Sequence, residues 1–214
     1  MNIKRILVIF STTILFLTSQ CFAAGANSGF LHDYSNLKAD PDRKGAMRYV
    51  KEGADLGKYN KIAIAPIEIW YHPQTKYKGI SPNDLKVLAD SFRELIVEAL
   101  EPDYPVVGSA GADVLVMRIA ITNVKMKKKK KSLLNYTPGG FAMYTMKGAA
   151  GKNIILEDAV IEAELLDSTT GELLGTLVDR QKATAKKGKP SWKEIEKALS
   201  FYAQRFRQRM DAEH

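Results

Sequence analysis

The sequence holds one cysteine and three histidines among 214 residues. A single cysteine forms no intrachain disulfide, which excludes a disulfide-stapled scaffold. So few cysteines and histidines also leave no framework for a structural zinc. No apolar run reaches the roughly 20 residues that a membrane-spanning helix needs. Neither G-x-S-x-G nor G-x-x-x-x-G-K-[ST] occurs, so two signatures of nucleophilic and phosphate chemistry are missing. Nothing repeats at a period of 20–50 residues. What is present, 45% apolar and 26% charged residues, is the composition of a globular chain.

The charge is local. Lysine and arginine together number 32 against 24 acidic residues, a net +8. Six lysines crowd into seven positions, Lys125 and Lys127, Lys128, Lys129, Lys130 and Lys131. Lys4 and Arg5 precede an apolar run from Ile6 to Leu17, interrupted by Ser11, Thr12 and Thr13. At about 1.5 Å per residue that run is too short to cross a hydrocarbon core of about 30 Å. Basic flank, short apolar core and small-residue exit fit a secretory signal peptide over residues 1–23. The exit reads in two ways. Cleavage after Ala23, or after Ala26, leaves a mature chain without cysteine, which suits an oxidising compartment. The other reading makes Cys21 a lipid-attachment site. Gln20 stands where such signals want a small residue, and so favours ordinary cleavage. The expected location is the periplasm, with a membrane anchor if Cys21 is kept. Loss of residues 1–23 takes two positive charges, which leaves +6, and the lysine run accounts for all of it.

Residues 24–60 are rich in Gly, Asn, Asp and Lys, with Phe30, Tyr34, Tyr49 and Tyr59 scattered among them and no period. They read as an extended N-terminal arm held by aromatic anchors. Residues 61–211 read as a single domain. Lys61 to Tyr71 is a β-branched strand, with Pro66 forcing a bulge or an edge position. Ser81 and Pro82 open a helix with Leu85, Leu88, Phe92, Leu95, Ile96 and Ala99 on one face; Glu101-Pro102 ends it. Asp113 to Met126 is a strand. Residues 154–167 and 172–185 form a hairpin, with Gly171 in the left-handed position of its loop. The register that makes one face apolar sets Leu165 opposite Leu174, Ala163 opposite Thr176 and Ile161 opposite Val178. Ser191 and Glu194 form a capping box for a last helix with Trp192, Ile195, Leu199, Tyr202 and Phe206 on one face. This order predicts an α+β fold: a mainly antiparallel sheet of four to five strands with two helices packed on one face. A basic-apolar insertion occupies about 125–151.

Several stretches resemble one family. Ser28 to Ser35 with Leu37, then Tyr49-Val50, Gly53 to Leu56 and Tyr59, resemble the opening of the bacterial domain-of-unknown-function family 3313. So do Ile161 to Asp167, Thr170 to Leu174 and Val178-Asp179-Arg180. The resemblance runs from about Ser28 to the last helix. It implies a Gram-negative cell-envelope protein, often a lipoprotein. It implies no known activity and brings no catalytic residue. The five-lysine run departs from the family pattern.

The candidate chemistry is sparse. His32 and Asp33 near Ser35 hint at a hydrolase, but the surrounding arm is irregular and reads as a polar hydrogen-bonding segment. Glu162 and Glu164 share a strand face and read as a charged outer face turned to solvent, with Arg118 and Arg180 available to bridge them. No enzyme activity, cofactor or metal is expected. The strongest candidate is the segment that follows Lys125. Its lysines run into Leu133, Leu134, Tyr136, Phe141 and Tyr144, a mixture suited to an anionic membrane surface or another envelope protein. A second reading is a soluble periplasmic ligand-binding module, with a cleft near Trp70, Tyr71 and His72. Nucleic acid is not an expected partner, because the patch lacks a recognisable binding fold.

Overall fold

The computed structural model describes residues 27–72, 82–126, 154–155, 159–180 and 192–214. In chain order these hold β1 (Lys38–Ala39), β2 (Ala46–Val50), β3 (Lys61–Ile64), β4 (Glu68–Tyr71), α1 (Pro82–Leu100), β5 (Val114–Met126), β6 (Ile154–Ile155), β7 (Val160–Asp167), β8 (Leu173–Asp179) and α2 (Trp192–Glu213). Among the described residues these strands make one eight-stranded sheet with the order β1-β2-β8-β7-β5-β3. The short β6 pairs only with the far end of β5, at Lys125 and Met126.

The sheet is larger than expected and mixed. β3 and β4 both run parallel to β5, side by side with successive stretches of it. The reason is the helix between them: a chain that leaves a strand, crosses in a helix and rejoins the sheet next door returns in the same direction. Pro66 divides the long isoleucine stretch into these two strands, since it has no N–H to give to a ladder. The other additions, β1 and β2, come from the arm. β2 pairs antiparallel with β8 and so extends the sheet beyond the hairpin.

The hairpin register differs by one residue from the expected one. Leu166 pairs Leu173, but Leu165 pairs Gly175, Ala163 pairs Leu177 and Ile161 pairs Asp179. Leu174 is the extra residue of a bulge, and the bulge turns it into the helix-side core. Val178 consequently faces the other way. Gly171 adopts φ +72° in the connecting loop, as its position there requires.

Both helices lie on one face, packed against each other. Leu88, Phe92, Ile96 and Leu100 of α1 and Leu199, Tyr202 and Phe206 of α2 meet Leu115, Met117, Ile119 and Ile121 of β5. The alternation of β5 does the sorting: these four odd-numbered residues face the helices, and Arg118, Ala120 and Thr122 face away.

Candidate functional site

The face away from the helices is closed by the arm. Phe30 and Leu31 pack on Ala120, Val160 and Val178, flanked by Tyr34, Leu37 and Trp70. The alternation that sends Ile161 and Ala163 toward the helices sends Glu162 and Glu164 under this arm. The two glutamates were expected to face solvent. They are instead 4% and 0% exposed. The alternation does put them on the outer face, but the arm covers that face.

Each carboxylate accepts from several donors. The Tyr34 hydroxyl donates to Glu162 Oε2 at 2.6 Å, the Ser28 hydroxyl to the same oxygen at 2.9 Å, and Thr122 Oγ1 to Oε1 at 2.7 Å. Glu164 Oε1 accepts the His32 amide at 2.7 Å, and its two oxygens lie 2.9 and 3.0 Å from His32 Nδ1. The Arg118 guanidinium donates to Glu164 Oε2. It also reaches Glu68 at 3.6 Å and lies over the Phe30 ring at 4.9 Å. Trp70 donates its indole N–H to Glu68 at 2.9 Å and meets Phe30 edge-on. Burial, and then the Glu162 carboxylate, push the Tyr34 phenol upward, so it stays a donor.

This arrangement is a clasp. The residues grouped as a hydrolase hint take separate roles: His32 turns to Glu164, while Asp33 accepts from the Ser35 amide and hydroxyl and from Asn36. Asp33 is held below the usual carboxylate range by the Ser35 amide first. Trp70 and Tyr71 point to opposite faces, Trp70 under the arm and Tyr71 toward the helix-side core. They therefore do not line one cleft, and His72 continues the pairing with β5 through its amide on Val124. Lys125 sits in β5 opposite Ile155. Lys127 to Lys131, Leu133, Leu134, Tyr136, Phe141, Tyr144 and Cys21 lie outside the described residues.

Three further carboxylates bind distant segments together. Asp40, next to β1, meets Arg209, Arg205 at 3.7 Å and Arg48 at 3.9 Å. Burial alone would raise its carboxyl; the Asp42 amide and the Arg209 guanidinium outweigh that and hold it low. Asp179 takes Arg43, which lies over the Phe201 ring of α2 at 4.6 Å. Asp167 accepts the Tyr59 hydroxyl at 2.7 Å and the Thr169 and Thr170 amides at 2.9 and 2.8 Å. These bonds, Tyr59 first, hold its carboxyl well below the usual range. Among the described residues no group of three or more His, Cys, Asp or Glu is placed to hold a metal. No described helix is long and apolar enough to cross a membrane.

Two expectations follow. Tyr34→Phe removes a bond to a charged acceptor and should cost about 1.5–3 kcal/mol in urea unfolding. The cost should shrink in a Glu162→Gln background, and equal costs in both backgrounds would mean that the two residues are not coupled. For Asp167 the depressed carboxyl makes the unfolded chain take up its proton first. Its contribution is intact above about pH 4 and is lost as pH falls toward the depressed value. Asp167→Asn should therefore lower stability at pH 7 and flatten the decline below about pH 4, read as urea midpoints across that range.

Comparison with known proteins comes at three levels. An uncharacterised lipoprotein of Escherichia coli K12, YdcL, is 27% identical over 147 residues, which are 68% of this chain. The chain spans just under two thirds, 66%, of that relative's length. Among solved structures, a PelC dodecamer from Paraburkholderia phytofirmans is 9% identical with a TM-score of 0.36, covering 75% of this chain and 93% of that one. A DUF4136 family protein of Bacteroides thetaiotaomicron is 9% identical with a TM-score of 0.38, covering 84% and 98%. Likeness at that level says nothing about activity. The family model for DUF3313 matches residues 26–206, a span that takes in the arm, both carboxylates it covers and most of α2. The chain belongs to DUF3313, a family described as proteins of unknown function.

Proposed function

We propose that this chain is a non-enzymatic accessory or docking protein of the Gram-negative cell envelope, exported to the periplasm and attached to an anionic membrane surface or to another envelope protein. The family and the lipoprotein relative support the envelope assignment. The state of the buried glutamates supports a structural role for them. Both glutamates accept from donors of the arm and of β5, which fits a role in holding the arm rather than in acid–base work.

The observation that carries the docking reading is the end of β5. Its thirteen residues form the strand that pairs with β3, β4, β6 and β7, and its last pairs, Lys125 with Ile155 and Met126 with Ile154, lie at the start of the basic-apolar stretch. A lysine-rich segment rooted in the most heavily paired strand would deliver its charge from a rigid base. Each lysine near an anionic surface is worth about 1 kcal/mol.

Replacing Lys127 to Lys131 with glutamine tests the reading in a vesicle sedimentation assay. With phosphatidylglycerol vesicles at about 0.1 M salt, binding should fall at least about tenfold. Binding to neutral phosphatidylcholine vesicles should be weak for both proteins. Equal sedimentation of the two proteins with the anionic vesicles would remove the membrane-docking reading.

A further inference from the structure

On the β3–β4 flank the helix layer does not cover the sheet completely. Ile64, Ile67 and Ile69 there, with Leu85 and Ala89 on α1, are only half-buried. Among the described residues they line a groove of about 610 Å3, together with Pro66, Lys86, Asp90 and Arg93. Lys86 and Asp90 neutralise each other as an ion pair one helical turn apart. Arg93 is different. Its Nη1 is shielded from solvent and has no hydrogen-bond partner among the described residues. Glu94 and Glu98 border the next stretch of α1, but neither pairs with it. A shielded guanidinium N–H left unmatched is costly, and native proteins seldom tolerate one without a reason.

We propose that this groove binds a long-chain fatty acid, its acyl chain along Ile64, Ile67, Ile69, Leu85 and Ala89 and its carboxylate on Arg93. The size falls in the range of small-ligand sites, roughly 300–1,000 Å3. The lining matches an amphiphile: an apolar floor with a single unmatched cation at the wall. The planar fork of arginine suits a carboxylate, which it binds through two parallel N–H bonds once the half-buried side chain turns Nη1 out to the groove. A peptide added as an extra strand fits less well, since Pro66 interrupts this flank and offers no N–H for a continuous ladder. The groove uses other residues than the lysine segment, so its occupancy does not depend on the docking reading.

The test is calorimetric titration of oleate into the intact secreted protein after removal of bound lipid. Saturable binding of one oleate per chain is expected. Ala89→Trp, which fills the groove, should abolish it. Arg93→Gln should weaken oleate about tenfold and leave oleyl alcohol unchanged. Absence of saturable binding would overturn the proposal, as would oleate binding that neither substitution alters. Tighter binding of a zwitterionic lysophospholipid than of oleate would overturn the carboxylate assignment. Thermal melting by circular dichroism checks both variants for folding. If Ala89→Trp fails it, the contrast between oleate and oleyl alcohol in Arg93→Gln decides.

Discussion

Glu162 and Glu164 lie two residues apart on β7, buried on the face away from the helices. A carboxylate taken out of water without partners costs several kcal/mol, so any cover over this face must arrive with donors already in place. The arm does so. Phe30 and Leu31 supply the apolar burial, worth roughly 1.5–3 kcal/mol per side chain. Ser28, His32 and Tyr34 supply the donors from the arm, and Thr122 and Arg118 supply them from β5. A slip of the arm by one residue would take the His32 amide off Glu164 and leave that oxygen short of a partner. The apolar residues make the arm adhere, and the carboxylates choose where.

The same logic recurs at the far edge of the sheet. Asp40 and Asp179 draw in Arg43 and Arg48 from the segment that carries β1 and β2, and Arg205 and Arg209 from α2. Near the C-terminus, Tyr104 donates to Asp211 at 3.1 Å, and Arg207 joins Asp103 to Asp211. The backbone of residue 57 passes so close to α2 that a Cβ on Gly57 would stand 2.7 Å from the Glu213 carbonyl. Segments from both ends of the described chain are thus tied to one sheet. In the function proposed above, that makes the body a rigid mount for the segment that follows β5.

The amphipathic helices were legible because spacings of three and four survive any packing partner. Leu88, Phe92 and Ile96, and Leu199, Tyr202 and Phe206, are all in the core that their spacing predicts. β5 and the Gly171 loop were equally clear. β2 was not, because its burial is mostly partial and its five residues show no period. The parallel pairing of β3 and β4 with β5 follows from the intervening helix, whereas the hairpin beside it points to an antiparallel sheet. Periodicity also cannot show a bulge, and the one at Leu174 turned the expected register by a residue. The alternation puts the glutamates on the outer face of β7, and a charged alternation normally means solvent. The contrary signal lay far off in sequence, in an arm whose serine, histidine and tyrosine are the donors that two covered carboxylates need. Arg93 gave no signal, since nothing in a helical pattern distinguishes a paired arginine from an unmatched one.

The central claim is that the arm is an integral layer of the fold, fixed by the buried carboxylates. Amide hydrogen exchange of the intact protein, resolved by residue, tests it most directly. The His32 amide, 2.7 Å from Glu164 Oε1, should exchange as slowly as the paired amides of β5 and β7. Exchange of that amide at the rate of a free peptide, while β5 and β7 stay protected, would contradict it.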